Sequence, residues 1–350
     1  MPGPEGIGAR RIDRVDSREL VETVELTLEL DRGNTRELAP LPHRGPAVQP
    51  ETAPRDSGAP VLLGQRYQIE RQLACGGTAV IMRALDLRHD APPDPGPGVA
   101  IKLLRPEFRH RAASIARLQR EFRQTRSLVH PCIVRHYELG CDRGIWFIAM
   151  ELLTGEGLGE RLRRAPRRGL PIREVLRIAS ACGEALAFAH DHGVTHGDVK
   201  PDNVFITASG EVRLLDFGVA PDTVPGKRGF QATGEVSPAA TRGYASPEVL
   251  AGHAPEPRDD VFSLACLVSE MLVGRHAQSC RGDSLKSLVR LSIEPLTGLT
   301  LRQWSGLAAG MAGRRDRRPA SMRSLMQALV ADADMAFARE RGPVYATLPS

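Results

Sequence analysis

From Tyr67 onward, the apolar residues of this chain change from a strand-like spacing to a helical one. The segment LACGGTAVIMRA, residues 73–84, consists of two strand-like pieces around a turn, and VAIK, residues 99–102, is a further apolar strand. Later segments repeat apolar residues every three or four positions, as at Val175, Ile178, Ala179, Cys182, Leu186 and Ala189. Strands that precede helices predict an α+β fold in which a β-rich lobe is joined to an α-rich lobe.

Residues 1–60 form a separate N-terminal segment. The stretch from Pro40 to Pro60 is rich in proline and glycine, which predicts a flexible linker outside the fold. Before it, Val24, Leu26, Leu28 and Leu30 alternate with polar residues, as in a half-buried strand. Such a strand is either solvated or binds a regulatory partner. Both alternatives stay open.

Composition argues against several classes of function. The net charge is +5, but the 47 basic residues are dispersed among 42 acidic ones, so we do not expect nucleic-acid binding. The six cysteines form no CxxC pair, which disfavours a zinc site or a disulfide framework and favours a reducing cytoplasm. The start MPGPEGIGARR has no hydrophobic signal core, and no apolar run is long enough to cross a bilayer. We therefore expect a cytoplasmic protein without membrane contact.

Three features of the strand-rich part suggest phosphate chemistry only weakly. The turn at Gly76 and Gly77 would let backbone amides approach a phosphate, although a simple hairpin turn is the commoner explanation. Lys102 ends an apolar strand, where most lysines are merely solvated. Glu121 lies on a predicted helix with an apolar face, where a surface carboxylate is the ordinary reading.

Further along, the chain contains HGDVKPDN at residues 196–203, LLDFGVA at 214–220 and SPE at 246–248. Together with the glycine turn, VAIK and the helical glutamate, these segments follow the order expected of a protein kinase. From about residue 66 to 333, the chain resembles the eukaryotic-like (Hanks-type) Ser/Thr protein kinases of bacteria, with HGD in place of HRD.

The resemblance implies a bilobal protein-kinase fold with a β-rich N-lobe at 66–151 and an α-helical C-lobe at 152–333, followed by a tail at 334–350. It implies phosphorylation of serine or threonine on protein substrates, including autophosphorylation, in intracellular signalling. ATP and Mg²⁺ are the implied cofactors. Neither the substrate nor the oligomeric state follows from the sequence.

The resemblance also assigns roles to single residues. Asp198 would accept the proton of the substrate hydroxyl, and Lys200 would neutralise the transferring phosphate. Lys102 would bind the α- and β-phosphates and pair with Glu121. The implied Mg²⁺ ligands are Asn203 and Asp216. The implied nucleotide-binding residues are Ala74, Gly76, Gly77, Ile81, Ala100, Lys102, Met150, Glu151, Leu153 and Phe205.

The lysine content supports two of these assignments without the family. Of the 47 basic residues only four are lysine: Lys102, Lys200, Lys227 and Lys286. A random distribution of four lysines among so many basic positions would rarely fill both predicted phosphate-contacting sites. These sites therefore need a compact ammonium group, which a planar guanidinium does not replace.

Two other functions remain as alternatives. HGD followed by asparagine also occurs in aminoglycoside and choline kinases, and Gly197 favours that reading. Lys200, the DFG sequence and the segment from Asp216 to Glu248 favour a protein substrate. In that segment Thr241 would contact Asp198.

Two further contacts are implied, Glu248 with Arg318 and Asp260 with the catalytic loop. The second alternative is a pseudokinase scaffold, because Ala74 and Ala79 stand where glycines are usual and alanine disfavours positive φ.

Overall fold

The computed structural model describes residues 61–88, 98–165, 169–217, 243–274 and 299–330. The chain divides into two compact units. The first comprises Met1–Ile115 and Leu139–Ala149, and the second comprises Ala116–Glu138 and Met150–Ser350. Residues 1–60 and 334–350, for which the sequence predicts a flexible segment and a tail, lie outside the described ranges.

A six-stranded sheet dominates the N-terminal part, as the strand-like runs predict. Its strands stand in the order β1-β2-β3-β4-β6-β5. Their bounds are β1 (Leu62–Leu63), β2 (Tyr67–Cys75), β3 (Ala79–Asp86), β4 (Gly98–Leu104), β5 (His136–Asp142) and β6 (Ile145–Glu151). The pairs β1–β2, β2–β3 and β3–β4 are antiparallel.

One face of this sheet forms the core of the first unit. Alternate residues of β3 are buried, beginning with Val80 and Met82, as the period of two requires. Ile101 and Leu103 of β4 join the same cluster. Tyr67 packs edge-on against Phe147, with ring centroids 5.8 Å apart.

The second unit is mainly helical, with a small sheet of three strands. The strands are β7 (Gly155–Gly157), β8 (Val204–Thr207) and β9 (Val212–Leu214), in that order. The helices are α1 (Ala112–Thr125), which begins in the first unit, α2 (Leu158–Arg164), α3 (Ile172–Asp191), α4 (Pro247–Leu250), α5 (Pro257–Val273) and α6 (Leu301–Gly310); residues 322–330 are also helical.

The core of the second unit surrounds α3 and α5. Every apolar residue that the sequence predicts for the buried face of α3, from Val175 to Ala189, is buried. A Cβ added at Gly183 would lie 2.2 Å from the sulfur of Met326. Glycine therefore allows the helix at 322–330 to approach α3 closely. No helix in the described ranges is long and apolar enough to span a membrane.

An ionic cluster joins α4 and α5 to the turn at residues 314–318. Arg318, whose side chain is fully buried, pairs with Glu248 at 2.5 Å and with Asp259 at 2.9 Å. The predicted pair of Glu248 and Arg318 is confirmed. Arg315 makes a second bond to Asp259 at 2.6 Å. Burial by itself would raise the pKa of Glu248, but the hydrogen bonds from Arg318 and from the backbone hold it below its ordinary value.

Replacing Arg318 with alanine should destabilise the protein by about 3–5 kcal/mol, because Asp259 and Glu248 would lose their buried partner. The matched control is Arg323→Ala, since Arg323 pairs with Asp191 on the exposed surface. This substitution should have a much smaller effect on stability, because exposed ion pairs contribute little. Urea unfolding of both variants measures the difference. If Arg318→Ala and Arg323→Ala lowered the free energy of unfolding equally, the buried cluster would have no special role in stability.

The stability difference between wild type and Arg318→Ala should depend on pH. A carboxylate whose pKa is lowered in the folded state contributes stability above its unfolded pKa and loses it as the pH falls through the folded value. The difference in the free energy of unfolding between wild type and Arg318→Ala should therefore shrink as the pH falls below 4.5, the ordinary pKa of glutamate.

Candidate active site

The loop that contains HGDVKPDN is attached to α5 through one buried carboxylate. Asp260 is fully buried. Its Oδ2 accepts the backbone N–H of His196 at 2.9 Å, and its Oδ1 accepts that of Gly197 at 2.8 Å. The Nε2 of His190 lies 2.7 Å from Oδ2. The prediction that Asp260 anchors this loop from a buried helix is confirmed.

Gly197 has a conformational reason to be glycine. Its φ is +75°, in the left-handed region that side chains with a Cβ adopt only at a cost. In that conformation its N–H reaches the same carboxylate as the N–H of His196. Glycine at this position therefore relieves backbone strain, whatever its consequence for substrate choice.

His196 orients the loop through both of its ring nitrogens. Nδ1 accepts the backbone N–H of Asp198 at 3.2 Å, and Nε2 lies 2.9 Å from the carbonyl oxygen of Leu215. Because an amide N–H only donates and a carbonyl only accepts, the two bonds require the neutral Nε2–H form of the imidazole. The ring also packs against Phe217, with centroids 4.7 Å apart.

The two oxygens of Asp198 have different surroundings. Oδ2 accepts the ammonium of Lys200 at 2.6 Å and the amide nitrogen of Asn203 at 3.3 Å. Oδ1 is buried and has no hydrogen-bond partner within the described ranges. Oδ2 thus holds the carboxylate in place, while Oδ1 has lone pairs that no described residue uses. Thr241, the further predicted contact of Asp198, lies outside the described residues.

Asn203 and Asp216 are brought together by the end of β9. The N–H of Leu215 donates to the carbonyl oxygen of Asn203 at 2.9 Å, and Asp216 is the next residue. The side-chain nitrogen of Asn203 also donates to the carbonyl oxygen of Asp198 at 2.8 Å. Asp216 has a φ of +53°. Positive φ in a residue other than glycine stores strain and is typical of functional sites.

The predicted nucleotide-binding residues of the first unit share one face of the large sheet. Ile81 stands opposite Ala74 on one side and opposite Lys102 on the other. Directly opposite residues of an antiparallel pair lie on the same face. Ala100 is two positions before Lys102 and so joins that face, which is opposite to the one that carries Val80, Ile101 and Leu103.

The glycine turn needs no left-handed residue. Gly76 donates its N–H to the carbonyl oxygen of Ala79 at 2.8 Å, which closes the turn. Ala74, Ala79, Gly76 and Gly77 all have φ outside the positive range. The turn therefore makes no demand for positive φ on Ala74 or Ala79.

Three of the predicted nucleotide-binding residues lie at the end of β6 and just after it. Met150 is buried, whereas Glu151 and Leu153 are half-buried. The carboxylate of Glu151 lies 3.6 Å from Arg213 and accepts the N–H of Arg135 at 3.3 Å.

Phe205, another predicted nucleotide-binding residue, lies on β8 between two residues of the buried core, Val204 and Ile206. The alternation of side chains along a strand therefore places Phe205 on the face away from that core.

Glu121 lies on α1 and is buried. The carboxylate Oε1 is 4.0 Å from the Nε2 of His136, the first residue of β5. The predicted pair of Lys102 and Glu121 involves both compact units and stays a prediction.

Sequence reasoning missed His136, and it also missed His190, although His190 follows Leu186 by four positions on the predicted apolar face of α3.

Comparison with known proteins gives a consistent result. Residues 67–327 match the protein kinase domain family. The serine/threonine-protein kinase PknA of Mycobacterium tuberculosis is 35% identical over 222 residues, which are 61% of this chain and 48% of PknA. PknL of the same organism is 33% identical over 239 residues, which are 68% of this chain and 56% of PknL.

Solved structures agree with these relatives. The crystal structure of the Mycobacterium tuberculosis PknI kinase domain has a TM-score of 0.60 and 25% sequence identity, and the match covers 79% of this chain and 99% of that domain. The chain spans about half the length of the curated relatives it matches.

Replacing Gly197 with alanine should destabilise the protein by about 1–2 kcal/mol, because the added Cβ disfavours the left-handed conformation. Gly157→Ala is the control: Gly157 has a φ of −71°, and a Cβ there would meet no atom within 4 Å. Thermal unfolding of both variants tests this. A similar small effect of the two substitutions would show that the conformation of Gly197 is not the reason for glycine.

Proposed function

Because the chain belongs to the protein kinase domain family, we propose that it transfers the γ-phosphate of ATP to serine and threonine hydroxyls of proteins. The observation that carries the proposal is the arrangement of Asp198. Its Oδ2 is fixed by Lys200 and Asn203, and its buried Oδ1 has no partner within the described ranges. Oδ1 is thus the atom that would accept the proton of the attacking hydroxyl.

Lys200 has a second role in this proposal. Its ammonium lies 2.6 Å from Asp198, and it would neutralise the negative charge that develops on the transferring phosphoryl group beside that base. A fixed cation at that position stabilises the transition state more than the ground state.

Asn203 and Asp216 would hold Mg²⁺. Protein kinases use this ion together with ATP, and it prefers oxygen ligands. The amide oxygen of Asn203 takes no part in the two bonds that its nitrogen makes to Asp198. Asp216 is held one residue from Leu215, which bonds to Asn203. When bound, the ion supplies positive charge that neutralises the phosphate oxygens.

The residues for ATP come from both units. Lys102 would bind the α- and β-phosphates and pair with Glu121, and the amides at Gly76 and Gly77 would cover the phosphates. The apolar surface for adenine would be Ala74, Ile81, Ala100 and Phe205. The polar edge of the base would meet the backbone at Met150, Glu151 and Leu153.

A protein substrate is favoured over a small molecule. Lys200 pairs with Asp198 as expected of the Ser/Thr protein-kinase loop. The residues after the undescribed segment 218–242 are fastened to α5: Ser263 donates to the carbonyl oxygen of Tyr244, and Ser246 donates to Asp259. Such fastening suits a platform for an extended polypeptide. PknA and PknL, which this chain resembles, are named serine/threonine-protein kinases.

The pseudokinase alternative is weakened by the same geometry. Asp198, Lys200 and Asn203 contact one another, and Asp216 follows directly. The turn at Gly76 imposes no strain on Ala74 or Ala79. In this proposal the protein acts in the cytoplasm without membrane or nucleic-acid contact, with residues 1–60 available to a regulatory partner.

Replacing Asp198 with asparagine should reduce phosphate transfer by about 10³-fold or more, because the base is lost while the residues that bind ATP remain. Purified wild type and variant are incubated with labelled ATP, Mg²⁺ and a protein substrate, and the phosphosites are mapped by mass spectrometry. Asp191→Asn is the control, since Asp191 lies on the exposed end of α3.

Three outcomes separate the alternatives. Transfer to serine or threonine that the Asp198 variant abolishes supports the proposal. Near-normal transfer by the Asp198 variant contradicts the assignment of the base. If ATP raises the melting temperature but neither protein transfers phosphate, the pseudokinase alternative is correct.

A further inference from the structure

His136 is a buried titratable residue to which the proposed mechanism gives no role. Its side chain is 1% exposed, and the carboxylate of Glu121, 4.0 Å away, is 6% exposed. His136 is the one fully buried residue of β5. A carboxylate so far removed from water needs polar partners nearby. The imidazole of His136 places a polar group within ion-pairing distance of this carboxylate, which an aliphatic side chain of similar size would not do.

The chain just before His136 is fastened to the strand that leads to Asp216. Leu214 donates its N–H to the carbonyl oxygen of Cys132 at 2.8 Å and accepts the N–H of Val134 at 3.1 Å. Leu215, the next residue in the chain, bonds to Asn203 and to His196, and Asp216 comes directly after it. The backbone of His136 is therefore fixed relative to the predicted magnesium ligands, independently of α1.

Glu121 lies one turn before the end of α1. The hydroxyl of Thr125 donates to the carbonyl oxygen of Glu121 at 2.8 Å and closes the last turn. That bond holds the backbone, but it does not orient the carboxylate. The imidazole of His136 is one neighbour of that carboxylate, and it belongs to the fixed part of the second unit.

We infer that His136 is a positioning residue that holds the carboxylate of Glu121 in the orientation required for pairing with Lys102. His136 thereby links α1 to the strand that ends at Asp216. The inference rests on the proposed function, because it assigns to Glu121 the role of orienting Lys102 for phosphate transfer. His136 itself contacts neither nucleotide nor substrate in this account.

The ordinary alternative is that His136 only fills space in the core. A double-mutant cycle separates the two readings, because residues that act through one another give non-additive effects. The four proteins are wild type, His136→Leu, Glu121→Gln and the double variant. His136→Gln serves as the conservative variant, since its amide offers a donor near the position of Nε2. Ile178→Val, in the buried face of α3, is the control for general loss of packing.

The first measurement uses nucleotide-free protein and thermal unfolding. We expect His136→Leu to lower the melting temperature when Glu121 is present and to change it by less than half as much when residue 121 is glutamine. Ile178→Val should lower the melting temperature equally in both backgrounds. Additive effects of His136→Leu and Glu121→Gln would overturn the inference.

The second measurement is the steady-state rate of phosphate transfer to a protein substrate. His136→Leu should lower kcat at least tenfold and leave KM for the protein substrate within twofold of wild type, whereas His136→Gln should restore most of kcat. With glutamine at 121, His136→Leu should lower kcat by less than twofold further. An unchanged kcat for His136→Leu, or equal losses in both backgrounds, would overturn the positioning role.

The two measurements also separate this inference from the proposed function. If wild type transfers no phosphate to any protein, the proposed function fails. The unfolding cycle still decides whether His136 fixes Glu121 in that case. If His136→Leu does not fold, the cycle is completed with His136→Gln, for which additivity with Glu121→Gln has the same consequence.

Discussion

The buried carboxylate of Asp260 is the constraint on which the active-site geometry depends. A charged group without access to water is tolerated only when donors surround it. Here the donors are two consecutive backbone N–H groups, of His196 and Gly197, together with the ring of His190. The same hydrogen bonds supply the carboxylate with donors and give the loop a fixed shape. Gly197 must then adopt positive φ, which accounts for glycine at that position.

The other parts of the site are connected to this loop by successive hydrogen bonds. His196 bonds to Leu215 and to the N–H of Asp198, which fixes both the strand exit and the base. Asn203 closes the loop by donating to Asp198. Asp216 follows the residue that bonds to both His196 and Asn203. The proposed base and the proposed magnesium ligands are thus held by one continuous set of hydrogen bonds within the second unit.

Much of this arrangement could be predicted from the sequence, because the loop motif and the DFG sequence are local patterns with ordered roles. The partners Asp260 and Arg318 could also be predicted, since the resemblance extends to their segments. His190 and His136 could not, because their roles depend on contacts with residues 70 and 15 positions away along the chain. The φ of Gly197 was likewise inaccessible, since no pattern of residue types distinguishes a glycine under conformational constraint from one that merely lacks a side chain. That the turn closes without positive φ at Ala74 and Ala79 could not be predicted either, because the residue types around it do not fix its backbone conformation.

The measurement that tests the account most directly is the initial rate of phosphate transfer by Asp260→Asn. The substitution keeps the volume of the side chain, but it replaces one acceptor oxygen with a donor nitrogen, so at least one of the loop N–H groups loses its partner. We expect a folded protein whose transfer rate is about a hundredfold below wild type or lower, because small displacements of a catalytic group have effects of that size. A folded variant that transfers phosphate within twofold of the wild-type rate would contradict it.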